Sequence, residues 1–335
     1  MVPKSVCGFR TRPCSKSHRV FVALPAFALG LLFCLAFVTL EAVQAVYLGT
    51  IFQDVDSFLI GTLVFGITTV GCIGATAIFR PGQLTVALRS PGLVAGINVL
   101  AALTWTTYFI AIQIIEPAVV FTVFSGMVPL ATVLAARFSM PEALGPSHGL
   151  SRAGNGLIML AVIVLAVTTS LGLSGFVRGG AATGLFGVLL AAVSGGFTAF
   201  VILLSVRLNG RGVGPLAQFG LRFMLYTLVA FAAFRLGIDS KNVDVPTEQI
   251  AIIVCIGLIV IALPLYFVQR AVPLVPAMTI AAVTALGPVI VFVLQMVEGR
   301  VAYAPATLAG LLIYMSGALV AALGAVRTRL PAGAD

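Results

Sequence analysis

Residues 117–129 read PAVVFTVFSGMVP, and residues 276–288 read PAMTIAAVTALGP. Each stretch opens on Pro-Ala after a short connection, and each carries a second proline twelve residues on, with a hydroxyl residue four positions before it. The offset between the two is 159 residues, and it also sets Gly61 on Gly220, Thr39 on Thr198, Ser125 on Thr284 and Tyr108 on Phe267. It sets residue 20, where the first apolar block begins, beside residue 179, close to the start of the sixth. Agreement between the residue matches and the block boundaries reads as an internal duplication.

Working outward, the 335-residue chain is 60% hydrophobic and only 9% charged, against roughly 25% charged in an average soluble domain. Its apolar residues fall in ten blocks, at 20–48, 57–79, 90–114, 117–136, 153–174, 181–206, 215–237, 248–268, 274–297 and 304–326. A helix rising ~1.5 Å per residue needs about 20 apolar residues to cross a bilayer core. These blocks consume the chain, which excludes a soluble enzyme, a disordered protein and a large extramembrane domain. A transmembrane barrel is excluded because its strands would alternate polar and apolar residues. The expected fold is an all-α polytopic membrane protein of ten transmembrane helices, arranged as two five-helix repeats. The expected division is a basic tail at 1–19, repeats at 20–174 and 175–326, and a second tail at 327–335.

The net charge of +9 reflects topology rather than a nucleic-acid partner. With the N-terminus cytoplasmic, fourteen basic residues collect on one side, among them Lys4, Arg80, Arg89, Arg137, Arg207, Arg211, Arg270 and Arg327. Four, Arg178, Arg235, Lys241 and Arg300, lie on the other. The positive-inside rule then gives a multi-pass protein with both termini cytoplasmic, in the plasma (inner) membrane if the source is bacterial. Asp54, Asp56, Glu116, Asp239, Asp244, Glu248 and Glu298 all fall outside. The first block is too long for a cleaved signal and is read as a retained helix. The cysteines lack metal or redox spacing: Cys34, Cys72 and Cys255 lie in apolar blocks, Cys7 and Cys14 in the tail. Five helices is an odd number, so the second copy enters the membrane from the opposite side. Inverted repeats of this kind recur in secondary transporters, with the substrate site between the repeats. A duplicated scaffold without transport is the alternative.

Ten helices as 5+5, with Trp105, Tyr108-Phe109, Pro117-Ala118 and Pro129 around the third and fourth, resemble the drug/metabolite transporter superfamily and its EamA-type branch. The second copy repeats the pattern with Tyr266-Phe267, Pro273, Pro276-Ala277 and Pro288, and the Ser205-Val206-Arg207-Leu208 and Arg222-Phe223 steps are similar too. The resemblance spans about residues 20–326 and implies a small-molecule exporter working by alternating access. One departure is Leu63, where the repeat offset from Arg222 would set an arginine.

Ionisable groups inside a bilayer are rare and costly. Two are expected there, Glu41 in the first helix and Arg222 in the seventh. Glu41, with Gln44 on the same face, is either a proton-coupling or cation-binding group or a structural cavity-lining residue. The first role gains weight from the resemblance, since small multidrug members of the superfamily couple through a first-helix glutamate. Arg222 is either functional or snorkels to the cytoplasmic interface. Pro129 and Pro288 free the carbonyls of Ser125 and Thr284, giving each repeat a polar spot or a mere packing kink. Trp105 and Tyr108 are candidates for an aromatic cavity wall, Ser194 and Thr198 for substrate hydrogen bonds beside the close-packing pair Gly195-Gly196, and Tyr266 for a gate or an interfacial anchor. The two histidines, His18 and His148, fall in expected cytoplasmic segments, and no phosphate-binding loop is present, so no enzymatic activity, cofactor or metal is expected. The expected partners are a small-molecule substrate, the bilayer and a coupling proton, with homodimerisation left open. Two rivals remain: a nucleotide-sugar or sugar-phosphate exchanger on the same fold, and a membrane scaffold or lipid-handling protein.

Overall fold

The computed structural model describes residues 18–138, 140, 142–143, 149–239, 241, 245–271, 274–275 and 277–327. The terminal tails with Cys7 and Cys14, His148, Asp244, Pro273 and Pro276 lie outside the described residues. In chain order the helices are α1 (His18–Asp54), α2 (Ser57–Phe79), α3 (Pro81–Leu88), α4 (Pro91–Ile114), α5 (Pro117–Arg137), α6 (Gly149–Ser170) and α7 (Ala181–Gly210). They continue as α8 (Pro215–Arg222), α9 (Met224–Arg235), α10 (Thr247–Ala271), α11 (Ala277–Thr284), α12 (Gly287–Glu298) and α13 (Pro305–Arg327). Among the described residues, nine spans are long and apolar enough to cross a bilayer, with α8 and α9 together counting as one. The architecture is that of a polytopic α-helical membrane protein.

Proline and hydroxyl chemistry explain why these sequences sit as helices. Pro81, Pro91, Pro117, Pro215 and Pro288 each occupy a first turn, where a missing N–H costs nothing. Asp56 caps α2 by accepting from Phe58 N (2.7 Å) and Leu59 N (3.0 Å). Thr62, Thr68, Thr76, Thr122 and Thr132 each donate to the carbonyl four residues back. Their hydroxyls are thereby satisfied without a partner helix.

Several boundaries differ from the sequence reading; α6 covers Gly149–Ser170 rather than 153–174, and α7 runs on to Gly210 rather than 206. α1 runs on to Asp54, because Thr50 and Gln53 bond back to Val46 O and Gly49 O and carry the polar end as helix. Residues 81–88, read as a loop, form the short helix α3. The block at 274–297 is two helices, α11 and α12, with Ala285 and Leu286 in a turn between them.

The bundle is knitted by a few close pairings. α6 packs on α13, α4 and α5 on α7, α1 on α10, α11 and α12, α2 on α8, α9 and α10, α4 on α9, and α5 on α12. Small residues permit the closest approaches. A β-carbon on Gly154 would strike the Ala321 backbone, and one on Gly195 would strike the Phe124 carbonyl. Glu116, fully buried at the start of α5, ties the chain together at one end. Its carboxylate accepts from Gly175 N (2.8 Å), Thr307 Oγ1 (2.8 Å) and Gln295 Nε2. The segment around Gly175 also bridges to 114–116 through Glu116 N to Phe176 O (3.0 Å) and Arg178 N to Ile114 O (2.7 Å).

Candidate functional site

Because α1 reaches Asp54, Glu41 lies 13 residues from that end, about 20 Å along the axis. Its carboxyl is half-buried and within electrostatic reach of two buried phenols, Tyr108 on α4 and Tyr314 on α13. The Tyr314 hydroxyl in turn meets the Ser125 hydroxyl on α5. Gln44, buried one turn along α1, shares the Glu41 face. Neither Glu41 nor Gln44 makes a side-chain hydrogen bond among the described residues. Glu41 on α1 thus lies within electrostatic reach of phenols from α4 and α13, the second of which is tied to α5.

Tyr314 escaped the sequence reading, although a tyrosine midway along an apolar block was a visible signal. Its partner at the repeat offset is Asn155, so the duplication gave no hint of it.

The aromatic wall is denser than expected. Trp105 contacts Tyr108 (centroids 6.0 Å apart), Phe65 (4.9 Å), Phe109 (5.3 Å) and Phe223 (6.2 Å). Phe65 also packs on Phe223 (4.6 Å) and Tyr226 (4.9 Å). Arg222 ends α8 beside this box, its guanidinium 5.6 Å from the Phe219 ring and 5.7 Å from that of Phe223. Among the described residues its Nε is buried without a hydrogen-bond partner. The α8–α9 interruption beside it is held by Asn98 of α4. Asn98 Nδ2 donates to Leu221 O (2.8 Å) and Val94 O (2.9 Å), while Leu225 N donates to Asn98 Oδ1 (3.0 Å). Asn98, too, was missed by the sequence reading.

Other candidates lie apart or are otherwise engaged. Ser194 is fully buried and donates to Thr104 O (2.9 Å), clamping α7 to α4 beside the Gly195 contact. Thr198 Oγ1 is buried without a partner. Thr284 Oγ1 bonds back to Ile280 O (2.8 Å) in its own helix. Pro129 sits inside an unbroken α5, whereas Pro288 opens α12 after the break. Tyr266 is 53% exposed, with its ring tilted against that of Phe267 at 5.7 Å between centroids.

The two ends of the bundle differ. At the end carrying Asp56 and Glu116, Lys241 reaches across to Phe52 O, Gln113 Oε1 and Asp239 (3.1 Å). Asp239 also accepts from Ser57 N and Oγ, both at 2.9 Å. Asp239 and Lys241 therefore tie together the ends of α1, α2 and α4. Nearby, Arg300 stacks on Phe176 (5.1 Å) and pairs with Glu298 (3.6 Å). At the opposite end a cavity of about 400 Å³ opens between α2 and α8, lined by Thr76, Phe79, Arg80 and Gln83.

No family model and no curated protein matches the chain. Among solved structures, one described only as a crystal structure of a protein is similar over 92% of this chain and 99% of its own length. The identity is 23% and the TM-score 0.57. That likeness concerns the fold alone.

Proposed function

We propose that the chain is a secondary transporter of the drug/metabolite type, two inverted five-helix repeats that move a small organic solute by alternating access. What supports the repeat is the way contacts exchange under the 159-residue offset. The α4–α7 packing corresponds to that of α10 on α1, α5–α7 to α11 and α12 on α1, and α4–α9 to α10 on α2. Residue contacts follow the same rule. A β-carbon on Gly324 would meet Ser151, and its counterpart, Gly310 against Leu165 at 2.5 Å, is also present. Gly317 against Ile158 (2.8 Å) corresponds to itself. Two interchangeable halves supply two opposite-facing states.

The observation that carries the transport reading is Glu41, a carboxylate without a hydrogen bond among the described residues, within electrostatic reach of the buried phenols of Tyr108 and Tyr314. A carboxylate beside aromatic rings favours a cationic or amphiphilic solute, and its protonation offers a driving ion. The chain is not an enzyme in this reading, both termini are cytoplasmic, and the direction is export. The Lys241–Asp239 link is then the closed outer side. Arg222 favours the second reading, a sugar-phosphate exchanger, because its Nε is unpartnered.

Reconstituted in liposomes, the wild type is expected to accumulate a cationic solute against an imposed pH gradient. Glu41→Gln is expected to abolish accumulation while downhill exchange persists. A variant that still concentrates solute in response to the gradient removes Glu41 from coupling, and uptake of sugar phosphates instead selects the exchanger. Topology is tested separately. Tags within 207–214 should report cytoplasm and a tag within 238–247 the outside. A cytoplasmic report from 238–247 breaks the inverted repeat.

A further inference from the structure

In an unbroken α-helix the N–H of Leu225 would donate to the C=O of Leu221. Here the Asn98 amide stands between these two groups, accepting from the first at 3.0 Å and donating to the second at 2.8 Å. A side chain inserted into the i to i−4 ladder is a recognised cause of helix interruption. At this depth the freed backbone groups must find protein partners, and Asn98 supplies both. Its remaining N–H goes to Val94 O, so the amide is fully engaged.

The duplicated half provides an internal control. At the repeat offset Asn98 corresponds to Gly257, and Leu221 and Leu225 correspond to Thr62 and Gly66. Gly257 lies against α2, where a β-carbon would come 2.9 Å from Val64, the counterpart of Phe223. Both repeats therefore bring the same position of one helix against the same position of another. Where that position is glycine, α2 runs unbroken from Ser57 to Phe79; where it is asparagine, the helix divides into α8 and α9.

We propose that Asn98 is a wedge that holds α8 and α9 apart, and that withdrawing its amide lets Leu225 N–H close onto Leu221 C=O, joining the two into one helix. The joint carries Arg222 and Phe223, so closing it moves the guanidinium and the ring packed on Trp105. Asn98 and Tyr108 lie on the same helix, so α4 links this joint to Glu41; that consequence alone rests on the transport reading.

The test uses nitroxide labels on Leu216→Cys and Leu236→Cys, positions 48% and 76% exposed, in a folded background cleared of the chain's five native cysteines. Interlabel distance and hydrogen exchange at the Leu225 amide are compared in the parent, Asn98→Gly and Asn98→Asp. The glycine variant, which copies position 257, is expected to shift the distance toward the roughly 30 Å of a continuous 20-residue rise, with Leu225 still protected. The aspartate variant keeps the acceptor and loses the donor to Leu221 O, and is expected to show two distance populations. Unchanged distances in both variants, with Leu225 exchange at least about tenfold faster in Asn98→Gly, would make Asn98 a cap on a break fixed by other packing. Should the glycine variant fail to insert, a single parental population in Asn98→Asp overturns the wedge.

Discussion

Glu116→Ala is expected to cost about 3–5 kcal/mol of stability, because it takes the shared acceptor from several donors at once. The carboxylate has no exposed surface, and three donors converge on it from Gly175, Thr307 and Gln295. Alanine removes the acceptor from all three, and the donors of Gln295 and Thr307, both fully buried, each cost about 1–3 kcal/mol when orphaned. The damage is not local, because Gly175 is 59 positions away, in the segment between α6 and α7, and its carbonyl also accepts from Ala302 N at 3.1 Å. Glu116→Gln keeps one oxygen but turns an amide toward donors, and is expected to fall between alanine and wild type. Burial holds the Glu116 carboxyl above the ordinary value near 4.5, with the three donors opposing it in part. A carboxyl raised in this way contributes stability that is full below the unfolded value and is lost as pH rises through the folded one. The deficit of Glu116→Ala should therefore be larger at mildly acidic pH than at pH 8. Thermal unfolding of the detergent-solubilised protein checks both points, and an alanine variant within about 1 kcal/mol of wild type would show that water takes over the donors.

That residue marks where the sequence stopped being readable. Apolar blocks and their proline starts are local properties, so the helices beginning at Pro91, Pro117 and Pro215 were legible to within a residue or two. Glu116 was visible only as an acid in a short connection, because its partners Gln295 and Thr307 lie 179 and 191 positions away. Asn98 was hidden for a similar reason: an amide in an apolar helix has no meaning until Leu221 and Leu225 are set beside it. The prolines misled in a different way. Pro129 and Pro288 stand 159 residues apart, each twelve residues after a Pro-Ala step, yet α5 is unbroken while a turn precedes Pro288. Val128 precedes the first and Gly287 the second, and glycine lets the backbone leave the helix more readily. Gly287 also admits Phe121, whose ring would lie 2.8 Å from a β-carbon there. The candidate site divided along the same line. Glu41 and Tyr108 were found because charge and aromaticity are legible singly, whereas Tyr314 required the packing of α13 against α5 and α6.

Gly154→Leu should prevent α6 and α13 from docking and sharply lower the yield of folded protein. A β-carbon at 154 would overlap the Ala321 backbone, and backbone cannot swing aside as a side-chain tip can. Relief requires moving the whole of α13, which would also separate Gly317 from Ile158 and Gly310 from Leu165, pairs so close that a β-carbon on the glycine would come 2.8 Å and 2.5 Å from its neighbour. Without a strong hydrophobic force between helices in lipid, such close approach supplies much of the association. The cost should reach or exceed the ~3 kcal/mol upper end of ordinary overpacking. Gly156 on the same helix is the control. It is exposed, and nothing lies within 4 Å of the β-carbon it lacks. Gly156→Leu should therefore be tolerated and even gain a few tenths of a kcal/mol from helix propensity. Fluorescence-detected size exclusion and thermal unfolding of the two variants separate the cases. Equal loss at 154 and 156 would mean that leucine anywhere on α6 is harmful and that the glycine seam is not what joins the helices. A folded Gly154→Leu would mean that α13 has room to retreat.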